Sequence, residues 1–306
     1  MLPIIDLSAS QAEVARQINS ACLTNGFFYV RNHGVPDAVI QGALDQAKWF
    51  FRQPLEEKRK VKVNMRHRGF NALGDALMYG AEKPDYKEFY SMGLELAEDD
   101  PDVLAGQALR GPNNWPEQPE FRAALSAYYE AMGVCGAGLL RAVAVSLGAA
   151  EDFFVDKYRK RLQRTQIIYY PPQPPMADAA QFGLAPHTDF GCITLLWQDD
   201  NGGLEVEERS SKTWIPAPPI PGTLVINVGD LLGRWTNDRY ASTPHRVVNR
   251  SGRERFSIAT FYDPDYMAPV DPGAFGVSAA ESNYEVVPAG EHILGRIQRS
   301  FGYRNK

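Results

Sequence analysis

From Gln163 onward the chain breaks into short runs of β-branched and aromatic residues, separated by Gly, Pro, Asn and Asp. The runs are Thr165–Tyr170, Ile193–Trp197, Leu204–Val206, Thr213–Ile215, Thr223–Val228, His245–Val248 and Arg255–Tyr262. Short strands punctuated this densely close into a sandwich, a barrel or a jelly roll. A parallel sheet is excluded, because each parallel step needs a crossover of about a dozen residues, normally a helix. The gaps here hold no long amphipathic pattern.

The sequence before Gln163 is mixed. Ile4-Ile5 reads as a short strand and Phe27–Val30 as another. Ser10 with Glu13 is a capping box, followed by a helical stripe of Val14, Ile18, Ala21 and Cys22 that stops at Asn25-Gly26. A second helix turns Val39, Ala43, Leu44, Ala47 and Phe51 inward. The basic stretch from Glu56 ends in an expected irregular loop at Arg68-Gly69-Phe70, and a long helix is expected from Glu120 to Leu147. The tail from Pro288 to Phe301 reads as a last helix with Ile293, Leu294 and Ile297 on one face. The fold class is therefore α+β, with a β core flanked by helices. We expect one fused unit with four stretches: a mixed region 1–115, a supporting helix 116–162, the β core 163–265 and a helical extension 266–306.

Composition narrows the function. With 32 basic and 37 acidic residues the formal charge is −5, so no basic excess is available to displace counterions from a nucleic acid. The most apolar long stretch, Tyr128–Leu147, is broken by Glu130 and Arg141, and it reads as a buried helix and not a membrane span. Three scattered cysteines form neither a disulfide framework nor a zinc motif. No leader is visible at the N-terminus, and a cytoplasmic location is expected. The expected partner is a small molecule, with no nucleic acid and no membrane, and the expected state is a monomer or weak homo-oligomer.

The chain has five histidines, and two of them sit at the punctuation points of the β block. His187 and Asp189 are two apart, so in extended chain they project from one face. His245 lies several strands later, and a jelly roll can bring it alongside. Two imidazoles and one carboxylate on one face leave positions open for dioxygen and a co-substrate at Fe(II); a zinc hydrolase is the alternative for the same trio. Arg255 and Ser257 also share a strand face, and an inward guanidinium needs an anion. That anion is either an internal carboxylate such as Asp230 or a ligand carboxylate, with Tyr170 offering a third hydrogen bond. Of the others, His33 is expected to be structural, His67 solvated in its basic loop, and His292 exposed on the last helix. Glu205 and Glu207 are expected to point outward on an edge strand.

These blocks, taken in order, resemble the Fe(II)/2-oxoglutarate dioxygenases, specifically the isopenicillin N synthase-like group. The matching segments are GFFYVRNHGV at 26–35, YYPPQP at 169–174, HTDFGCITLLWQDDNGGLEV at 187–206, VINVGDLLGRWTNDRYASTPHRVV at 225–248 and RFSIATFY at 255–262. The resemblance implies a double-stranded β-helix (jelly-roll) core. It implies that His187, Asp189 and His245 bind the iron, and that Arg255 and Ser257, assisted by Tyr170, hold the distal carboxylate of 2-oxoglutarate. Dioxygen would be the oxidant, succinate and CO2 the co-products, and hydroxylation, desaturation or ring closure of a small molecule the outcome. Many plant members of the group carry Asn two residues before the tyrosine, where this chain has Ile168. For the substrate we expect Arg68, Phe70 and Phe261, with an apolar lining from Leu195 and Trp197. Within the same fold, the competing functions are an iron oxidase that needs no 2-oxoglutarate, an ethylene-forming enzyme that fragments it, and a binding protein without chemistry.

Overall fold

The computed structural model describes residues 1–75, 77, 82–173 and 181–300. Pro174 of the YYPPQP block and Phe301 of the expected last helix lie outside the described residues. Strand β1 (Ile4–Asp6) leads to helix α1 (Gln11–Thr24), where Ser10 Oγ accepts from the Glu13 backbone N–H. The Glu13 carboxylate turns to Arg16 and Gln17, so only half of the capping box forms. Gly26 reverses the chain at φ +66, and a Cβ there would lie 1.9 Å from the Ala241 carbonyl oxygen, so only glycine fits. Next come β2 (Phe27–Arg31), α2 (Asp37–Phe51), α3 (Leu55–Arg59), β3 (Gly69–Asn71), β4 (Glu88–Gly93) and α4 (Pro101–Leu104). Helix α5 (Pro119–Ser146) is the long support, with Phe121, Leu125, Tyr128, Met132 and Leu139 buried along it. Its Gly136 admits the Tyr262 ring, whose Cγ would be 2.7 Å from a Cβ at that position.

The β block supplies β5 (Arg164–Tyr170), β6 (Leu184–His187), β7 (Ile193–Gln198), β8 (Leu204–Glu207), β9 (Trp214–Pro216) and β10 (Thr223–Val228). After α6 (Asp230–Trp235) come β11 (His245–Val247), β12 (Arg255–Tyr262), β13 (Pro269–Val270), β14 (Val287–Pro288) and α7 (Ala289–Ser300). The major sheet has eight strands in the order β1-β2-β10-β7-β12-β5-β4-β3, and the minor sheet four, β6-β11-β8-β9. All pairs within both are antiparallel except β1 with β2. Helices α2 and α5 pack on the major sheet, and α1 packs on α5. The minor sheet faces the other side, giving the jelly roll. No helix among the described residues is long and apolar enough to cross a membrane.

Two expected strands, Thr223–Val228 and Arg255–Tyr262, coincide with β10 and β12. Five strands form where none was expected: β3, β4, β6 and the two-residue pair β13 and β14. β6 reads Leu-Ala-Pro-His, which has no alternation and carries a proline; it is tolerated because β6 is the edge of its sheet. β3 replaces the irregular loop expected at Arg68-Gly69-Phe70, and β4 pairs it to β5. β8 lies between β11 and β9, so Glu205 and Glu207 are not on an edge; they pair with Arg246 at 2.6 Å and Lys212 at 3.1 Å.

Candidate active site

His187 ends β6 and His245 opens β11, and the ladder sets them directly opposite, with ring centroids 4.2 Å apart. Asp189 follows on the turn into β7. Its Oδ1 lies 3.7 Å from His187 Nε2 and 3.8 Å from His245 Nε2. One ligand atom from each of the three falls within 4.8 Å of the others. Each Nδ1 meets a backbone carbonyl, Ala185 at 2.9 Å for His187 and Thr243 at 3.2 Å for His245. That contact assigns the proton to Nδ1 and turns the Nε2 lone pair to the centre. Asp189 Oδ2 accepts from Thr194 Oγ1 and from Asn227 Nδ2 at 2.7 Å, which leaves Oδ1 for the centre. Burial, reinforced by His245, pushes His187 down to about 3, so the imidazole is neutral. Against the pull of burial, the two imidazoles with Asn227 and Thr194 hold Asp189 below the usual carboxylate range. A buried carboxylate between two imidazoles whose Nε2 atoms face it, with its outer lone pairs already engaged, fits a divalent cation and leaves coordination positions open.

Between the sheets a cavity of about 850 Å³, mouth included, joins these residues to Arg255. The Arg255 guanidinium is fully buried. It donates to Gly202 O at 2.6 Å, Ser257 Oγ at 3.2 Å and Gln198 Oε1 at 3.2 Å, and it lies 4.7 Å from the centre of the Tyr170 ring. All of these acceptors are neutral. Asp230, the internal carboxylate considered above, pairs with Arg296 at 2.8 Å instead. A buried guanidinium among neutral acceptors requires an anion, and Arg255, Ser257 and Tyr170 all line the cavity that would hold one. Ile168 lines it too, as an apolar surface where a polar side chain would offer a hydrogen bond.

The expected substrate residues divide. Phe261 lines the cavity, whereas Arg68 and Phe70 do not. Phe70 pairs with Tyr90 across the ladder, and both rings turn to Phe50 of α2, 5.7 and 5.4 Å away. Arg68 is 2% exposed and donates to the carbonyls of Arg66 and Leu109. Its neighbour His67, expected to be solvated, is buried and lines the cavity: it sits at φ +62 in a turn held by Asn64 Oδ1, which accepts from the backbone N–H groups of Arg66 and Arg68 and folds the loop inward. Thr194 and Leu196 line the cavity where Leu195 and Trp197 were expected, a shift of one residue that reverses the face of β7. His292, expected to be exposed, is largely enclosed, and burial pushes it down to about 4. Thr194, Asn227, Arg164, Gln166, Lys87 and Phe190 were missed. The available signal was a polar residue inside an otherwise apolar strand, as with Asn227 in TLVINV.

Residues 2–118 match the family described as non-haem dioxygenase in morphine synthesis N-terminal, and residues 162–264 match the 2OG-Fe(II) oxygenase superfamily. The 2-oxoglutarate-Fe(II) type oxidoreductase hxnY of Emericella nidulans is 34% identical, over 98% of this chain and 90% of that protein. Homoarginine-6-hydroxylase 2-ODD-C23 of Glycine max is 32% identical, over 98% and 97%. The crystal structure of a full-length Neurospora crassa protein in complex with alpha-KG and thymine superposes with a TM-score of 0.85 at 28% identity, covering 97% of this chain and 96% of that one. The fold, the donor cluster and the matches agree over nearly the whole length: the chain belongs to the 2OG-Fe(II) oxygenase family, as a non-haem iron dioxygenase that uses Fe(II), 2-oxoglutarate and dioxygen.

Proposed function

We propose that the protein oxidises a C–H bond of a small molecule, with His187, Asp189 and His245 holding Fe(II) and Arg255, Ser257 and Tyr170 holding the far carboxylate of 2-oxoglutarate. For a hydroxylation, 2-oxoglutarate, dioxygen and R–H become succinate, CO2 and R–OH. Bound at the three donors, Fe(II) supplies the site where dioxygen is reduced at the expense of 2-oxoglutarate. The chain's own part is placement. The Nδ1 contacts and the Thr194–Asn227 pair fix the donors, and Arg255 fixes the angle of the keto acid. Leu184, Leu196, Leu204, Val247 and Phe27 keep water from the space between. A small-molecule substrate is supported by the cavity and by the thymine bound in the Neurospora crassa structure.

The observation that carries this reading is the single cavity linking the His–Asp–His cluster to a buried arginine that, among the described residues, forms no ion pair with a carboxylate. An oxidase independent of 2-oxoglutarate would leave that guanidinium unanswered. The test is iron- and oxygen-dependent succinate release across a substrate screen, with Arg255→Leu alongside. We expect Arg255→Leu to raise the KM for 2-oxoglutarate about a hundredfold or more, the scale of a truncated buried charge pair. Unchanged affinity in that variant, or full turnover without 2-oxoglutarate, overturns the reading.

A further inference from the structure

The end of the cavity away from Arg255 carries a second set of buried cations. Side chains alternate along β5, so Arg164 and Gln166 share the cavity face with Ile168 and Tyr170. On β12 the ladder pairs Arg255 with Tyr170 at one end and Phe261 with Arg164 at the other. The two arginines thus stand on the order of 20 Å apart along the strands, too far to grip one carboxylate. Arg164 is 4% exposed and lies 4.9 Å from the centre of the Phe261 ring. Its Nη2 reaches Asp263 Oδ2 at 3.3 Å, while its Nε is buried without a hydrogen-bond partner.

Gly93 is the ladder partner of Arg164 on β4, and its missing side chain makes room for Arg68, whose Nη2 would lie 2.2 Å from a Cβ there. Arg68 has no carboxylate partner among the described residues, and its Nε is also unpartnered. Burial pushes Arg68 down to about 10, with Arg164 and Arg110 adding to the effect. Of the other nearby charges, Arg110 pairs with Asp265 and Lys87 with Asp85, each at 3.2 Å. Asp263 pairs with Arg164, its Oδ1 is spent on the Cys192 N–H at 2.8 Å, and no carboxylate among the described residues pairs with Arg68. Two guanidinium charges against one carboxylate leave a single buried positive charge. Neutral polar groups are left over around it: Gln166 lines the cavity, Ser91 Oγ opposite it is unpartnered, and neither side-chain polar atom of Asn71 has a partner.

We infer that the substrate is a compact molecule bearing one carboxylate, docked on Arg164 and Gln166 with the Arg68 charge behind them. The inference rests on the preceding reading that this cavity also holds the metal and 2-oxoglutarate. A carboxylate accepts from the free edge of the Arg164 fork and from the Gln166 amide, and its carbon skeleton lies along Phe261. One negative charge matches the single surplus; a phosphate dianion overshoots it and a neutral molecule leaves it uncompensated. Position sets the size. Thr194, which holds Asp189, pairs with Phe261, which pairs with Arg164, so metal and anchor are about two strand spacings, roughly 10 Å, apart. The oxidised carbon therefore lies only a few bonds from the carboxylate.

The test is calorimetry under anaerobic conditions on the full chain loaded with Mn(II) and 2-oxoglutarate. The probes are short aliphatic and monocyclic aromatic monocarboxylic acids, each paired with its primary carboxamide. We expect at least one acid to bind tenfold or more tightly than its amide, about the scale of a charged hydrogen bond. Arg164→Gln is expected to abolish that preference. Because it orphans Asp263, the double variant Arg164→Gln/Asp263→Asn removes both members of the ion pair, leaves the net charge unchanged, and tests the Arg164 contact itself if the single variant fails to fold. Amides binding as well as acids, or the preference surviving both variants, overturns the inference. The 2-oxoglutarate titration in the same cell separates the two claims. If 2-oxoglutarate fails to bind while the acid preference persists, the preceding reading is wrong and this one stands; if it binds and no acid is preferred, this one is wrong.

Discussion

At the scale of single residues, the site depends on groups that touch no ligand. Asn227 keeps Asp189 Oδ2 occupied so that Oδ1 faces the imidazoles. Replacing such a supporting partner typically weakens metal affinity about 10- to 100-fold, which Asn227→Ala should show in a ferrous iron titration with 2-oxoglutarate present. His292 gives a pH signature. Burial lowers it from 6.5 to about 4, with Asp230 opposing and Arg234 and Arg296 assisting. The unfolded chain therefore takes up that proton first, and stability falls as pH drops from 6.5 towards 4. His292→Leu should flatten this part of the Tm–pH curve relative to the parent. The metal donors were legible in the sequence because His-x-Asp and a later His need only spacing and a β block. Arg68 and His67 were misread because the left-handed turn that buries both leaves no periodic trace.

At the scale of elements, packing decides what propensity alone would reverse. Alanine in place of Gly136 within α5 should gain about 1 kcal/mol of helix propensity. Its Cβ, however, meets Cγ and Cδ1 of Tyr262 at 2.7 and 2.9 Å, the near end of a ring held in the core. Overpacking costs about 1–3 kcal/mol, so Gly136→Ala is expected to lower Tm by a few degrees in a thermal melt. The same balance explains which strands the sequence revealed. β10 and β12 are long and rich in β-branched and aromatic residues, so their ends were readable. β7 is apolar on both faces, ITLLWQ, and period-two reasoning could not say whether Leu195 or Leu196 faces inward. The polar alternation of Arg164 and Gln166 in β5 did carry the answer for that strand, although only the tyrosine at its far end was read.

At the scale of the molecule, the major sheet draws on the whole chain. β2 inserts between β1 and β10, β4 closes on β5, and Phe27 of β2 meets the His245 ring at a 5.2 Å centroid distance. Residues 163–265 expressed alone would expose the edges of β10 and β5 and lose the cover of α2 and α5. We expect that fragment to aggregate and to bind no iron, which sedimentation and metal analysis would show; a soluble, metal-binding fragment would contradict it. Such long-range pairing was not legible, because a five-residue strand such as Phe27–Arg31 says nothing about its partner. One strand, β5, carries Tyr170 beside the co-substrate anchor and Arg164, the proposed acid anchor, at the two ends of four inward positions in fixed alternation. Exchanges at its first two inward positions can redirect what is oxidised and leave the keto-acid grip alone. A single inserted residue in between would turn one of the two anchors out of the cavity, so selectivity in such a scaffold should drift by substitution and not by changes of length.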